Sequence, residues 1–67
     1  MVRNEMNEAK IKKILKDVKF EEDGGLSSDL KYLSWDVGQI EATLDGDFTA
    51  DELEAIAWWM RHKSIKL

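Results

Sequence analysis

The spacing of apolar residues changes twice along this chain of 67 residues, and these changes limit the folds open to it. From Asn4 to Phe20 the apolar residues follow the period of an amphipathic helix. Lysines occupy the opposite face, and Asn4 or Asn7 is the expected N-cap. From Lys31 apolar and polar residues alternate as in strands, and from Ala50 the helical period returns. The predicted stripe of the first helix is Ile11, Ile14, Leu15 and Val18.

Two alternating runs on either side of Gly38 predict a β-hairpin with one apolar face. The segment before them, residues 21–29 (EEDGGLSSD), is rich in glycine and serine and predicts a loop. As an alternative, Val18 to Glu22 forms a third short strand, because Val18 and Phe20 also alternate with charged residues. The hairpin residues expected to face the core are Leu33, Trp35, Val37, Ile40, Ala42 and Leu44.

A capping box marks the start of the second helix. Thr49 and Glu52 have the S/T-x-x-E spacing in which each side chain satisfies a backbone N–H of the other residue. Phe48 before the cap is expected to pack on Leu53, and the helix is predicted to run from about Ala50 to His62. Its predicted buried stripe is Leu53, Ile56, Ala57 and Met60.

The adjacent Trp58 and Trp59 fall on opposite flanks of that stripe, because neighbouring helical residues are about 100° apart. A core this small is not expected to cover both indoles. We therefore expect one indole to complete the core and the other to be partly exposed. An exposed tryptophan is a frequent anchor at protein interfaces.

These elements predict a single α+β domain over residues 1–67, ordered helix, two-stranded antiparallel hairpin, helix (αββα). Hydrophobic residues make up 43% of the chain, which favours a folded state. The chain has no cysteine, which favours a reducing compartment. Its N-terminus, MVRNEMNEAK, lacks the apolar stretch of a signal peptide, and no apolar run approaches the ~20 residues of a membrane span. We expect a cytoplasmic protein without membrane contact.

Charge is divided unevenly along the chain. Residues 1–20 carry six basic and three acidic side chains (+3), residues 21–54 carry one basic and eleven acidic (−10), and residues 55–67 carry three basic and none acidic (+3), which gives the net charge of −4. The acidic middle can act as a solvated face that maintains solubility. It can also steer a basic partner into contact, and it disfavours direct binding to nucleic acid.

The functional hypothesis is a non-enzymatic protein-binding module for a basic or nucleic-acid-binding protein. The alternative is a structural homo-oligomer, such as a homodimer, in which the basic ends of one chain contact the acidic middle of another. The residues expected to bind the partner are Glu41, Asp45, Asp47, Asp51, Glu54, Trp58 and Trp59.

No pattern in the chain indicates a catalytic, cofactor or metal site. Residues 45–51 repeat the early spacing of a calcium loop, but Ala50 stands in place of the required glycine and Ile56 in place of the bidentate glutamate. His62 is the only histidine and has no cysteine or serine constellation near it in sequence that would support nucleophilic catalysis, so a role at the end of the helix is expected. We therefore expect no enzymatic activity and no cofactor.

The segment LDGDFTADELEAIAWWMRHK, from Leu44 to Lys63, resembles in style the C-terminal strand-turn-helix of small acidic accessory proteins encoded by phages and prophages. Such proteins include inhibitors of host defence or of host nucleic-acid machinery, among them anti-CRISPR proteins and DNA mimics. The resemblance implies a phage-type inhibitor, and it transfers no functional residue to this chain.

Overall fold

The computed structural model describes residues 6–64, and in this range two helices cover one face of a four-stranded antiparallel sheet. The sheet order β1-β2-β3-β4 follows the chain, so each strand pairs with its neighbour in sequence. The α+β class is confirmed, but the sheet has four strands where the sequence predicted a hairpin. The elements are α1 (Glu8–Ile14), β1 (Lys19–Phe20), β2 (Leu26–Ser28), β3 (Tyr32–Trp35), β4 (Thr43–Asp45) and α2 (Ala50–Ser64).

Helix α1 is shorter than its apolar stripe suggested. Asn7 is the N-cap, and its side-chain oxygen accepts a hydrogen bond of 2.9 Å from the Lys10 N–H. Asn4 lies outside the described residues. The helix ends when Leu15 adopts φ −98° and ψ 52°, and the Val18 N–H then donates to the Leu15 carbonyl in a turn. Val18 is therefore not part of the helix, because the chain turns there to begin β1.

Strand β1 confirms the alternative of a strand after α1, and β2 lies where the sequence predicted only a loop. Phe20 lies opposite Leu26, which in turn lies opposite Trp35, so these residues share the face that the helices cover. Leu26 is the single apolar residue of β2, which explains why alternation did not reveal the strand.

Strands β3 and β4 pair as predicted, but the second strand of the hairpin is shorter. Only Thr43–Asp45 pairs with β3, with Leu44 opposite Leu33. Gly38 has φ +106° in the turn after β3, a conformation that glycine adopts readily. The predicted inward position of Ile40 is wrong: it lies in the connection between the strands with 91% of its surface exposed.

The core lies between the two helices and the face of the sheet that they cover. Among the described residues it contains no buried polar or charged residue. The predicted stripe of α2 is wrong by part of a turn. Ile56 is buried as expected, but Ala57 and Leu53 are exposed and Met60 is only half-buried. The buried residues are Ile11, Leu15, Leu26, Leu33, Trp35, Ala55, Ile56 and Trp59.

Candidate protein-docking surface

Trp59 belongs to the core and is not available to a partner. Only 3% of its surface is exposed, and its indole N–H donates a 2.6 Å hydrogen bond to the Gly24 carbonyl. Its ring meets Phe20 edge-on with the ring centres 4.8 Å apart, and the Lys63 Nζ lies 4.8 Å from the ring centre. This tryptophan therefore joins α2 to the turn between β1 and β2.

Trp58 is half-buried, which confirms that one indole completes the core while its neighbour keeps some exposed surface. The imidazole of His62 stacks on it with ring centres 3.7 Å apart and an interplanar angle of 18°. The His62 Nδ1 atom also lies 3.0 Å from the Trp58 carbonyl oxygen. Asp51 and Glu54 precede Trp58 by seven and four residues and therefore lie on the same side of α2.

The five acidic residues predicted to bind a partner are all exposed. Asp45 lies in β4 opposite Tyr32, and the other four lie in the connections on either side of β4 or in the first turns of α2. We refer to these five residues, Glu41, Asp45, Asp47, Asp51 and Glu54, as the 41–54 carboxylates. Within residues 6–64 none of them forms an ion pair.

Lys31, the one basic residue among residues 21–54, forms an ion pair with Glu52. Its Nζ atom donates to both carboxylate oxygens of Glu52 at 2.9 and 3.1 Å, and it lies 4.6 Å from the ring centre of Phe48. The hydrogen bond from Lys31 and the N–H of Thr49 lower the pKa of Glu52. Glu52 also completes the predicted capping box, since its N–H donates to the Thr49 hydroxyl at 3.1 Å.

Two further ion pairs occur in the described part of the chain. Lys19 contacts Asp29 at 2.9 Å, and the hydrogen bond raises the pKa of Lys19. Lys63 contacts Glu8 at 2.7 Å and lowers the pKa of Glu8. Of the eleven acidic residues in 21–54, nine are therefore exposed without an ion pair to described residues, because Asp29 and Glu52 are the two that have one.

The remaining exposed carboxylates of residues 21–54 lie beside the turn between β1 and β2. They border a shallow groove of ≈ 590 Å³ beside the turn between β1 and β2, and they are Glu21, Glu22, Asp23 and Asp36. Two of them also hold the turn, because Asp23 accepts from the Gly25 N–H and Glu21 accepts from the Ser27 hydroxyl. Exposed negative charge is therefore also present around this groove, in addition to the 41–54 carboxylates.

Sequence reasoning missed Ile40 as an exposed apolar residue. The turn after β3 is held by Gln39, whose side-chain oxygen accepts from the Asp36 N–H at 2.7 Å and whose carbonyl accepts from the indole N–H of Trp35 at 3.1 Å. These bonds fold the chain back on itself and leave Ile40 directed away from the core. The available signal was Gln39, a polar residue next to Gly38 that can form hydrogen bonds across the turn. The alternation of apolar and polar residues nevertheless predicted an inward position for Ile40.

Ile40 borders a groove of ≈ 490 Å³ between the turn after β3 and the second half of α2, where Ala57, Met60 and Arg61 form the other wall.

Within residues 6–64, no cluster of three or more histidine, cysteine or acidic side chains is arranged to hold a metal ion. No helix in the same range has the length and apolar character needed to cross a membrane. Neither a protein-family model nor a curated protein nor a solved structure matches the chain.

Proposed function

We propose that the protein is a non-enzymatic binding module whose acidic surface docks on a basic, nucleic-acid-binding protein. In this proposal it acts as a phage-type inhibitor of host defence or nucleic-acid machinery, in the manner of a DNA mimic or an anti-CRISPR protein. The observation that supports it is that the five 41–54 carboxylates are all exposed and have no ion pair with the described residues.

Exposed carboxylates without partners act on association more than on the stability of the fold. Their combined field raises the rate at which a cationic groove meets this surface, and it competes with phosphates for the same lysines and arginines. The 41–54 carboxylates supply this steering in the proposal. Trp58 supplies an apolar contact beside Asp51 and Glu54, whereas the burial of Trp59 removes it from the interface.

The proposal is tested with two amide variants of equal charge. The first replaces the five 41–54 carboxylates, and the second replaces five exposed carboxylates elsewhere. Amides preserve the side-chain oxygens that accept hydrogen bonds, so the turn between β1 and β2 is retained in the second variant. The control positions are Asp17, Glu21, Glu22, Asp23 and Asp36.

Each immobilised protein is exposed to bacterial lysate at low and high salt, and captured proteins are challenged with duplex DNA. We expect the wild type to retain DNA- or RNA-binding proteins that duplex DNA displaces. With a purified captured protein, the first variant should lower the association rate constant by about tenfold or more and flatten its salt dependence. Equal capture by the wild type and the first variant, or binding that is independent of ionic strength, would contradict the proposal.

The alternative of a structural homo-oligomer makes a different prediction. A self-associating chain would sediment as a dimer or larger species as its concentration is raised, and high salt would dissociate it if charge holds it together. A monomer at high micromolar concentration would exclude this alternative and would leave the docking proposal unaffected.

A further inference from the structure

Strand β4 is an edge of the sheet, with β3 as its single neighbour. In an antiparallel sheet the backbone N–H and C=O groups of a strand are directed to both of its sides, so those that do not bond to β3 are available on the outer side. All three residues of β4 are exposed, and Leu44 retains 36% of its surface even though it lies opposite the buried Leu33. The described residues therefore leave this edge uncovered.

The two faces of β4 differ in chemistry. Asp45 lies opposite Tyr32, on the face of the sheet away from the helices, and Leu44 lies on the helix side opposite Leu33. A strand added beside β4 would place alternate residues on these two faces. Basic residues of that strand would lie beside Asp45, and aliphatic residues would lie beside Leu44.

A second copy of the chain is a poor occupant of this edge. Antiparallel pairing of β4 with itself would bring together two copies of residues 41–47, each with three carboxylates and no basic residue. With the pairing centred on Asp45, this residue would lie opposite its own copy, and in the neighbouring registers the carboxylates in and next to both strands would still border the same short contact. Like charges directly opposite each other are destabilising, whereas opposite charges in these positions are favourable.

The other edge of the sheet has a different character. Strand β1 contains only Lys19 and Phe20, and its Lys19 side chain is paired with Asp29. A lysine side chain on an edge strand is a feature that protects the edge from pairing. Charge complementarity to a basic segment is thus a property of β4.

We propose that β4 binds an extended basic segment of the partner protein, which adds to the sheet as a fifth strand. The segment alternates lysine or arginine with aliphatic residues. Backbone hydrogen bonds to β4 hold it, and Glu41, Asp45 and Asp47 select its charge. This inference rests on the proposed function and specifies how the partner is recognised.

The probe is a short peptide in which lysine and valine alternate and both termini are capped. It is added to ¹⁵N-labelled protein, and the backbone amide signals are followed by NMR. We expect shifts of the amide signals of residues 43–45 and slower hydrogen exchange there. In two further peptides the backbone nitrogens of all lysines, or of all valines, are methylated. Each change removes the backbone N–H donors along one edge of the extended peptide and leaves the side-chain charges unchanged. One of these two should bind about tenfold more weakly than the parent, because the donors that face β4 are lost.

Two triple variants test the charge selection. Replacement of Glu41, Asp45 and Asp47 by amides should weaken binding of the parent peptide by about tenfold, since favourable opposite-charge contacts with its lysines are lost. Replacement of Asp17, Glu22 and Asp36 changes the net charge equally and should alter binding by less than about threefold. Circular dichroism spectra matching the wild type show that both variants are folded.

Several results would overturn the edge-pairing inference. They are equal binding of both N-methylated peptides and the parent, amide shifts confined to α2, or equal weakening by the two triple variants. Peptide binding by charge alone would leave the proposed function intact, because that proposal requires acidic docking and no added strand. Failure of the lysate and association experiments, in contrast, would remove the proposed function itself.

Discussion

Replacing Trp59 by phenylalanine tests whether this indole, and not that of Trp58, holds the fold together. The change keeps an aromatic ring next to Phe20 but removes the N–H that donates to the Gly24 carbonyl at 2.6 Å. It also leaves a space in the core, because Trp59 is almost fully buried. The same substitution at Trp58 removes part of a half-buried ring that is stacked on His62.

The expected loss of stability has two contributions, the lost hydrogen bond and the space left in the core. One buried hydrogen bond contributes about 1 kcal/mol. A cavity on the order of 40 Å³, at about 24 cal/mol per Å³, costs about 1 kcal/mol more. Trp59→Phe should therefore lower the free energy of unfolding by about 2 kcal/mol, against a total of roughly 3 to 10 kcal/mol for a chain of this length. Trp58→Phe should lower it by less, about 1 kcal/mol or below, because the Trp58 ring is only partly buried against the core and no hydrogen bond of its indole N–H is lost.

Urea unfolding followed by far-ultraviolet circular dichroism measures both values without depending on tryptophan fluorescence. The comparison requires equal m-values, which show that the extent of unfolding is the same in the two variants. Equal losses in the two variants, or a larger loss for Trp58→Phe, would refute the assignment of Trp59 as the core indole. A further variant, Trp59→Ala, should lose about 3 to 5 kcal/mol and approach complete unfolding.

Three further substitutions test local interactions. Thr49→Ala removes the N-cap hydroxyl of α2 and should lower the free energy of unfolding by about 1 kcal/mol in urea. Glu52→Gln tests the ion pair with Lys31. The pKa of Glu52 is lowered, so its stabilisation is present above about pH 4.5 and is lost as the pH falls through the folded-state pKa. Thermal unfolding at several pH values should show the deficit of Glu52→Gln shrinking below that pH, and a constant deficit would contradict the assignment. Gly25→Ala places a Cβ 2.9 Å from the Trp35 carbonyl oxygen and should cost about 1 to 3 kcal/mol in urea, so an unchanged midpoint would be evidence against this close approach.

The helices and their caps were predictable because their signals are local. The capping box of Thr49 and Glu52 forms with the bonds that the sequence implies, and Asn7 caps α1. Such bonds join residues three positions apart, so they do not depend on the rest of the fold. The end of α1 was less predictable, because the turn at Leu15 serves the entry of the chain into β1.

The sheet was only partly predictable because its short strands are defined by their partners. Lys19 and Phe20 form a strand because β2 lies beside them, and β2 in turn lies between β1 and β3. Strand preference depends on cross-strand contacts more than on the residue itself. A glycine- and serine-rich segment with one apolar residue, Leu26, therefore gives no periodic signal, even though Leu26 is central to the core.

The rotation of α2 shows which apolar surface the core selects. The predicted stripe buried Leu53 and Ala57, whereas the observed stripe buries Ala55 and Trp59. An indole removes more apolar surface from water than a leucine does, so the rotation that buries Trp59 is favoured although it exposes Leu53. A pattern count gives each apolar residue equal weight and cannot detect this preference.

The carboxylates around β4 have two physical consequences that must be separated before either is called their function. Repulsion between like charges protects an exposed edge from pairing with other copies, and attraction draws a basic segment to the same edge. Protection requires only Glu41, Asp45 and Asp47, because these are the acidic residues in β4 and directly next to it in sequence. It gives no reason for charge on Asp51 and Glu54, which lie on α2 beside Trp58. Capping of α2 explains the first of these in part, since Asp51 lies in the first turn of the helix. Glu54 lies beyond that turn, so neither edge protection nor helix capping accounts for its charge, and in the proposed function it belongs to the acidic surface that a basic partner contacts.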